Sequence, residues 1–412
     1  LGFMTSLIQR VLTGFHTPTP ETEQPPLRHE IFSVERLEQY AQTLAAEHKT
    51  IVRRGRAQLL PRLEDNARQL ETAYRSLVKA ISDGRSISPA GEWLVDNYHI
   101  VEEQLREIRQ DLPRGYYQEL PKLSEGPLED YPRIYALALA LIAHTDSRLD
   151  TSTLRRFITS YQSVAPLTIG ELWAVAITLR LALVENLRRL AVTVIRGRAE
   201  RDDADKLADK LLELAQRQPT AIMPLVQDRL GKQEQLPQTF IVQLLQRLRE
   251  QHPSVMPVMN WIEKEVTAPD INIEQVIHAE HQRQAAGQVT VGNIITTMRL
   301  LSTLDWQEFF EKVSLIDPLL GQDPAGAYSQ MEFASRDRYR HVVERISKRT
   351  RSGEIEIAKA ALELAAKASV EPQTHVGYYL VDDGLPQLES IFGYEPNSVE
   401  GLRRFFLRNA TA

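Results

Sequence analysis

From Ser33 onward the apolar residues recur at steps of three and four along almost the whole chain, the spacing of one buried face on an α-helix. Leu94, Tyr98, Val101, Leu105 and Ile108 form one such stripe, with Glu102, Glu103, Arg106 and Glu107 on the other face. Ser88 and Pro89 supply a hydroxyl cap and a first-turn proline for that helix, and Pro113 closes it. A stronger stripe carries Leu172, Ala176, Leu179, Leu183, Leu187 and Leu190 over about five turns. Thr168 and Glu171 open it as a capping box, each side chain satisfying a free backbone N–H of the first turn. Strand signals are scarce. The best is Gln288-Val289-Thr290-Val291, which could equally lead into a helix over 294–302.

Most prolines fall between stripes, so they punctuate helices of ordinary length. Each stripe must be buried against another helix, which predicts an all-α fold, an irregular multi-helix bundle in two helical subdomains. The polar stretch 196–210 reads as a linker or an exposed helix between a subdomain at 29–195 and another at 211–412. Residues 1–28, rich in Thr and Pro after a short apolar start, read as a flexible tail without the basic start or cleavage site of a signal peptide. The longest apolar run elsewhere, Ile134 to Ala143, is well short of the roughly 18 residues that span a bilayer.

Composition narrows the chemistry. The 412 residues contain no cysteine, which removes disulfides, thiolate metal sites and cysteine nucleophiles and fits a reducing compartment. Balanced charges, 49 basic against 55 acidic residues, give no global field for nucleic acid. There is no Gly-rich phosphate loop, no Gly-x-Ser-x-Gly elbow and no His-Glu-x-x-His zinc helix.

Three constellations remain. Glu92, Asp96, His99 and Glu103 fall one helical turn apart beside an apolar stripe, an arrangement that suits an acid/base pair or a buried polar network with Arg109 or Arg114 as counter-ions. Arg336-Asp337-Arg338-Tyr339-Arg340-His341 could grip an anion or form a salt-bridged helix start. Glu274, His278 and His281 share a helical face and are the nearest approach to a metal site, but beside Glu280, Gln282 and Arg283 they read as solvated polar residues and no metal is assigned. Aromatic residues are few, and the doublet Tyr116-Tyr117 is expected to anchor a helix–loop junction more than a sugar cleft.

Three segments resemble a known family. They are Glu92-Trp93-Leu94-Val95-Asp96-Asn97-Tyr98-His99 running on to Pro113-Arg114-Gly115-Tyr116-Tyr117, then Pro166-Leu167-Thr168-Ile169-Gly170-Glu171-Leu172-Trp173, and Ser335-Arg336-Asp337-Arg338-Tyr339-Arg340-His341. Together they look like the N-terminal region of the cyclic β-1,2-glucan synthases, very large bacterial inner-membrane proteins. The resemblance implies a helical domain on the cytoplasmic face of the inner membrane, preceding the transmembrane segments. A glycosyltransferase using UDP-glucose and a divalent metal, a cyclising module and a phosphorylase-like module would follow downstream. No Gln-x-x-Arg-Trp motif of such transferases occurs here, so no catalytic residue and no cofactor is assigned to this chain.

The expected role is a non-catalytic scaffold or regulatory region. Glu92, Trp93, Asp96, His99, Glu103, Arg114, Tyr116, Tyr117, Arg336, Arg338, Tyr339 and Arg340 would be its interface or binding residues. Its expected partners are the downstream modules, β-1,2-glucan, and the membrane beside Arg403, Arg404, Phe405, Phe406 and Arg408, with no nucleic acid. The alternatives are a glucan-binding or sugar-processing domain in its own right and a helical protein-interaction adaptor. The termini suggest a fragment of a longer chain.

Overall fold

The computed structural model describes residues 24–52, 59–112, 115–231, 236–249, 251, 253–266, 273–350 and 352–396. Among the described residues are eighteen α-helices and one sheet of two two-residue strands, so the protein is all-α. In chain order these are α1 (Val34–Glu47), β1 (Thr50–Ile51), α2 (Leu59–Ser82), α3 (Pro89–Asp96), α4 (Tyr98–Asp111), α5 (Tyr116–Glu119), β2 (Lys122–Leu123), α6 (Arg133–His144) and α7 (Thr151–Gln162). Then come α8 (Ile169–Arg217), α9 (Ile222–Leu230), α10 (Gln238–Leu248), α11 (Met256–Val266), α12 (Ile273–Thr303), α13 (Trp306–Val313) and α14 (Asp317–Leu320). The last four are α15 (Phe333–Arg349), α16 (Glu354–Lys367), α17 (Val376–Val381) and α18 (Leu385–Ile391).

Two compact units interleave along the sequence. The first takes Leu1–Phe32, Ile51–Asp150 and Ile177–Ser302, the second Ser33–Thr50, Thr151–Ala176 and Thr303–Ala412. This differs from a division at 196–210, because that stretch lies inside the 49-residue helix α8. Within it Ala204, Ala208, Leu211 and Ala215, at helical spacing, are buried against α9, α10 and α11. Residues 1–23 lie outside the described residues, and 24–28 are held in place. Leu27 is buried, its N–H donates to Asn186 Oδ1 at 2.7 Å, and Arg189 donates to the Pro25 carbonyl at 3.1 Å.

The single helix expected over the Leu94 stripe is two helices, α3 and α4. They meet at Asn97, whose side-chain amide donates to the Trp93 carbonyl at 2.9 Å and so competes with helix continuation. The strand signal at Gln288–Val291 lies inside α12, because Thr290, Val291, Ile294, Ile295 and Met298 bury one helical face. Packing there overrides the β preference of the branched residues. The Thr168 capping box is realised: the Thr168 N–H donates to Glu171 Oε2 at 2.9 Å and the Glu171 N–H to Thr168 Oγ1 at 3.2 Å.

In the first unit α6 is buried on every side, which explains why its sequence is apolar all round. Beside the core lies a charged hub. Glu185 of α8 accepts from Arg62 at 2.8 and 3.0 Å, Asn66 at 2.7 Å, Arg188 at 2.9 Å and Arg189 at 2.9 Å. Burial alone would raise its carboxyl, but Arg62, Arg189 and Arg188 pull it well below the usual carboxylate range.

In the second unit α1 and α7 pack together, tied by a bidentate Arg156–Glu38 pair at 2.7 and 3.0 Å and by His48 Nδ1 to the Tyr161 hydroxyl at 3.0 Å. The Ile169 N–H at the start of α8 donates to Glu354 Oε2 at 2.8 Å. Burial, reinforced by Glu344 and Glu171, pushes Glu354 up from 4.5 to about 8. The folded state therefore holds a proton here that the unfolded chain has released. That contribution to stability is complete below the ordinary glutamate range and is lost as pH rises through about 8. Glu354→Gln, which keeps an acceptor but cannot ionise, is expected to flatten this fall; urea midpoints of both proteins across the window check it.

Candidate functional site

The Arg-rich segment forms the first half of α15, and its polar groups turn into the second unit. Tyr339, Arg340, Val343 and Ile346 are buried along one face. Arg340 is fully buried; its Nη1 donates to Asp317 of α14 at 2.8 Å and lies 3.6 Å from Glu311 of α13, while Nε is 3.4 Å from Asp337. Arg336, one turn earlier, reaches Glu311 at 2.9 Å. The Arg340 guanidinium sits between the rings of Phe333 and Phe310, 4.5 and 4.9 Å from their centroids, and Trp173 stacks on Phe310 at 4.6 Å. Such a cation between rings is held by their quadrupoles as well as by the carboxylates. The Asp337 carboxylate raises the His341 imidazole to about 9, so His341 is charged at neutral pH. Arg338 is exposed.

Beside this network runs a second chain of polar groups. Asp323, on the turn after α14, accepts from the Val376 N–H at 2.9 Å and the Ala327 N–H at 3.1 Å. His375 Nδ1 lies 2.6 Å from Asp323 Oδ2, and the Tyr339 hydroxyl lies 3.0 Å from His375 Nε2. With Nδ1–H donating to the carboxylate, Nε2 is left to accept from the hydroxyl. Burial, aided by the Asp323 charge, pushes the Tyr339 hydroxyl up. Gly377 permits this contact: a Cβ there would overlap the Tyr339 hydroxyl and His375 Nε2. Gly377→Ala is expected to break the Tyr339–His375 bond and cost about 1–3 kcal/mol, read as a lowered denaturation midpoint.

The N-terminal constellation is arranged differently. Glu92, Trp93, Asp96, His99 and Glu103 are all exposed on α3 and α4, and among the described residues the four charged or imidazole side chains form no hydrogen bond or ion pair. They form neither the buried polar network nor a pocketed acid/base pair that the sequence left open. Arg109 instead pairs with Glu64 of α2 at 2.9 and 3.0 Å. Tyr117 is buried and its hydroxyl pushed up by burial, while Tyr116 begins α5. Arg114 and the basic, aromatic segment 403–408 lie outside the described residues. His278 contacts Gln282 at 2.9 Å on an exposed face, and among the described residues no group of three metal-ligating side chains is placed to hold an ion. Among them too, no helix is long and apolar enough to cross a membrane.

No protein-family model matches the chain. One curated protein, the cyclic beta-(1,2)-glucan synthase NdvB of Rhizobium meliloti, is 35% identical to it over 350 residues. This chain is homologous to a region of a cyclic beta-(1,2)-glucan synthase. The match covers 83% of the chain and 12% of that synthase, so the chain corresponds to a small part of its relative's length. The resemblance read from the Glu92, Pro166 and Ser335 segments therefore holds at the level of the protein matched.

The structure brings Arg336, Tyr339 and Arg340 together but leaves Arg338 outside the cluster. The residues that complete the centre are Asp317, Asp323, Glu311, His375, Phe310 and Phe333. None has a spacing signal, since Asp323 and His375 are 52 positions apart. In chemical terms the arrangement fixes helices: every charged group of the Arg340 cluster faces a counter-charge of this same unit.

Proposed function

We propose that this chain is a non-catalytic helical scaffold of a cyclic β-1,2-glucan synthase, positioning the modules that make periplasmic β-1,2-glucan from UDP-glucose. The observation that carries the reading is the Arg340 centre. Its cations and carboxylates neutralise one another and its aromatic rings cover Arg340, a composition suited to rigidity rather than turnover. Homology to a region of NdvB supports the assignment to such a synthase. The scaffold would sit on the cytoplasmic face of the inner membrane, with the downstream modules as its partners. Deleting this region from the full synthase is expected to abolish assembly or chain-length control, read from product size in membranes that still contain the enzyme. Unaltered product would sink the reading.

A glucan-binding role is the second reading. Trp93 is 41% exposed with Glu92 and Asp96 exposed beside it, and an open indole face can stack on a sugar ring.

A further inference from the structure

The first unit contains a polar cavity of about 180 Å³ whose lining includes Ser86, Ser88, Arg201, Gln246, Glu280 and His281. It is assembled from the turn before α3, the middle of α8, the face of α10 and the first half of α12. Arg201 differs from the arginines around Glu185 and from Arg180. Arg62, Arg180, Arg188 and Arg189 each grip a carboxylate, at 2.8 to 2.9 Å. Arg201 is half-buried, yet among the described residues its guanidinium forms no hydrogen bond or ion pair. Burial pushes Arg201 below the usual arginine range, opposed by the charges of Glu280, Asp202 and Glu200. A half-buried guanidinium that makes no hydrogen bond within the fold keeps its planar fork free to meet an anionic ligand.

The remaining lining fits that ligand. Glu280 is buried; it pairs with Arg283, and Gln284 donates to it at 2.8 Å. Ser88 Oγ accepts the Gly91 N–H at 3.3 Å, which leaves its own proton free to donate into the cavity. Ser86, Gln246 and His281 add further donors at the rim. The volume lies below the roughly 300–1,000 Å³ of drug-sized sites, so the occupant is small.

We propose that this cavity binds the phosphate group of a small molecule, with Arg201 as the counter-ion and the Ser86 and Ser88 hydroxyls as donors to its oxygens. Arg is suited to the task because its planar fork matches two phosphate oxygens. The proposal is independent of the scaffold role, since it concerns a ligand of the first unit and not the modules beside it.

The test uses the whole chain, with melting temperature and calorimetric titration against inorganic phosphate, a hexose phosphate and, as a control anion, acetate. Saturable stabilisation by phosphate or the hexose phosphate, absent with acetate, is expected. Tighter binding of the ester would identify a phosphorylated sugar as the source, and equal binding would identify free phosphate. Arg201→Gln should lose the response at least tenfold while melting, without ligand, close to the parent temperature, because among the described residues Arg201 makes no hydrogen bond or ion pair within the fold. Arg217→Gln, an exposed arginine paired with Glu213, should keep the response. A phosphate response that survives Arg201→Gln, or no response from the folded parent, overturns the proposal. If Arg201→Gln melts well below the parent, Arg201 is a structural residue and the proposal also fails.

Discussion

Glu185→Gln is expected to destabilise the protein by about 3–5 kcal/mol, the cost of stranding buried charge when one partner of a network is removed. Glu185 is fully buried and is the carboxylate that Arg62, Arg188 and Arg189 share. Glutamine keeps the shape but leaves three guanidinium groups in one place without their counter-charge. The contrast is Glu213→Gln, which breaks an exposed pair with Arg217 and should change stability by no more than about 0.5 kcal/mol. Because the folded-state pKa of Glu185 is depressed, its contribution is complete above the usual carboxylate range and is lost as pH falls toward the depressed value. The difference between parent and Glu185→Gln should therefore narrow in acid, which urea unfolding at neutral and acid pH would show.

Arg340→Met is the second large effect, again about 3–5 kcal/mol. Methionine fills much of the space between Phe310 and Phe333, so the cost isolates the charge rather than a cavity. Asp317, Asp337 and Glu311 would keep Arg336 and His341 but lose the buried cation they converge on. Arg340→Lys should recover only part of the loss, since an ammonium cannot span Asp317 and Asp337 from one position between two rings. Equal stability of the lysine variant and the parent would show that the fork geometry has no role.

What could be read from the sequence was local. The helical class followed from periodicity, and the Thr168–Glu171 box was visible because its two residues are three apart and need nothing else. Residues 288–291 leave strand and helix equally open because branched side chains carry both local signals there, and only burial along α12 decides for the helix. The Arg336–Arg340 segment stood out as charged, but whether it gripped a ligand or its own fold depended on Glu311, Asp317 and Asp323, which chain folding alone brings near. The same holds for Glu185, an unremarkable glutamate on a leucine-rich stripe until α2 brings Arg62 and Asn66 against it. The Glu92–Glu103 group left a buried network, an acid/base pair and an interface open, and only the fold decides between burial and exposure. Its turn-by-turn spacing is real, but it marks an exposed face of α3 and α4.

The central claim is that this region organises a glucan synthase without itself handling glucan. It is tested most directly by calorimetric titration of the folded 412-residue chain with linear and cyclic β-1,2-glucans, with a product assay on the same samples supplied with UDP-glucose. The account predicts no saturable heat from either glucan and no product. Saturable glucan binding lost in Trp93→Ala, or any glucan formed, would contradict it and make the exposed face around Trp93 and His99 a working site.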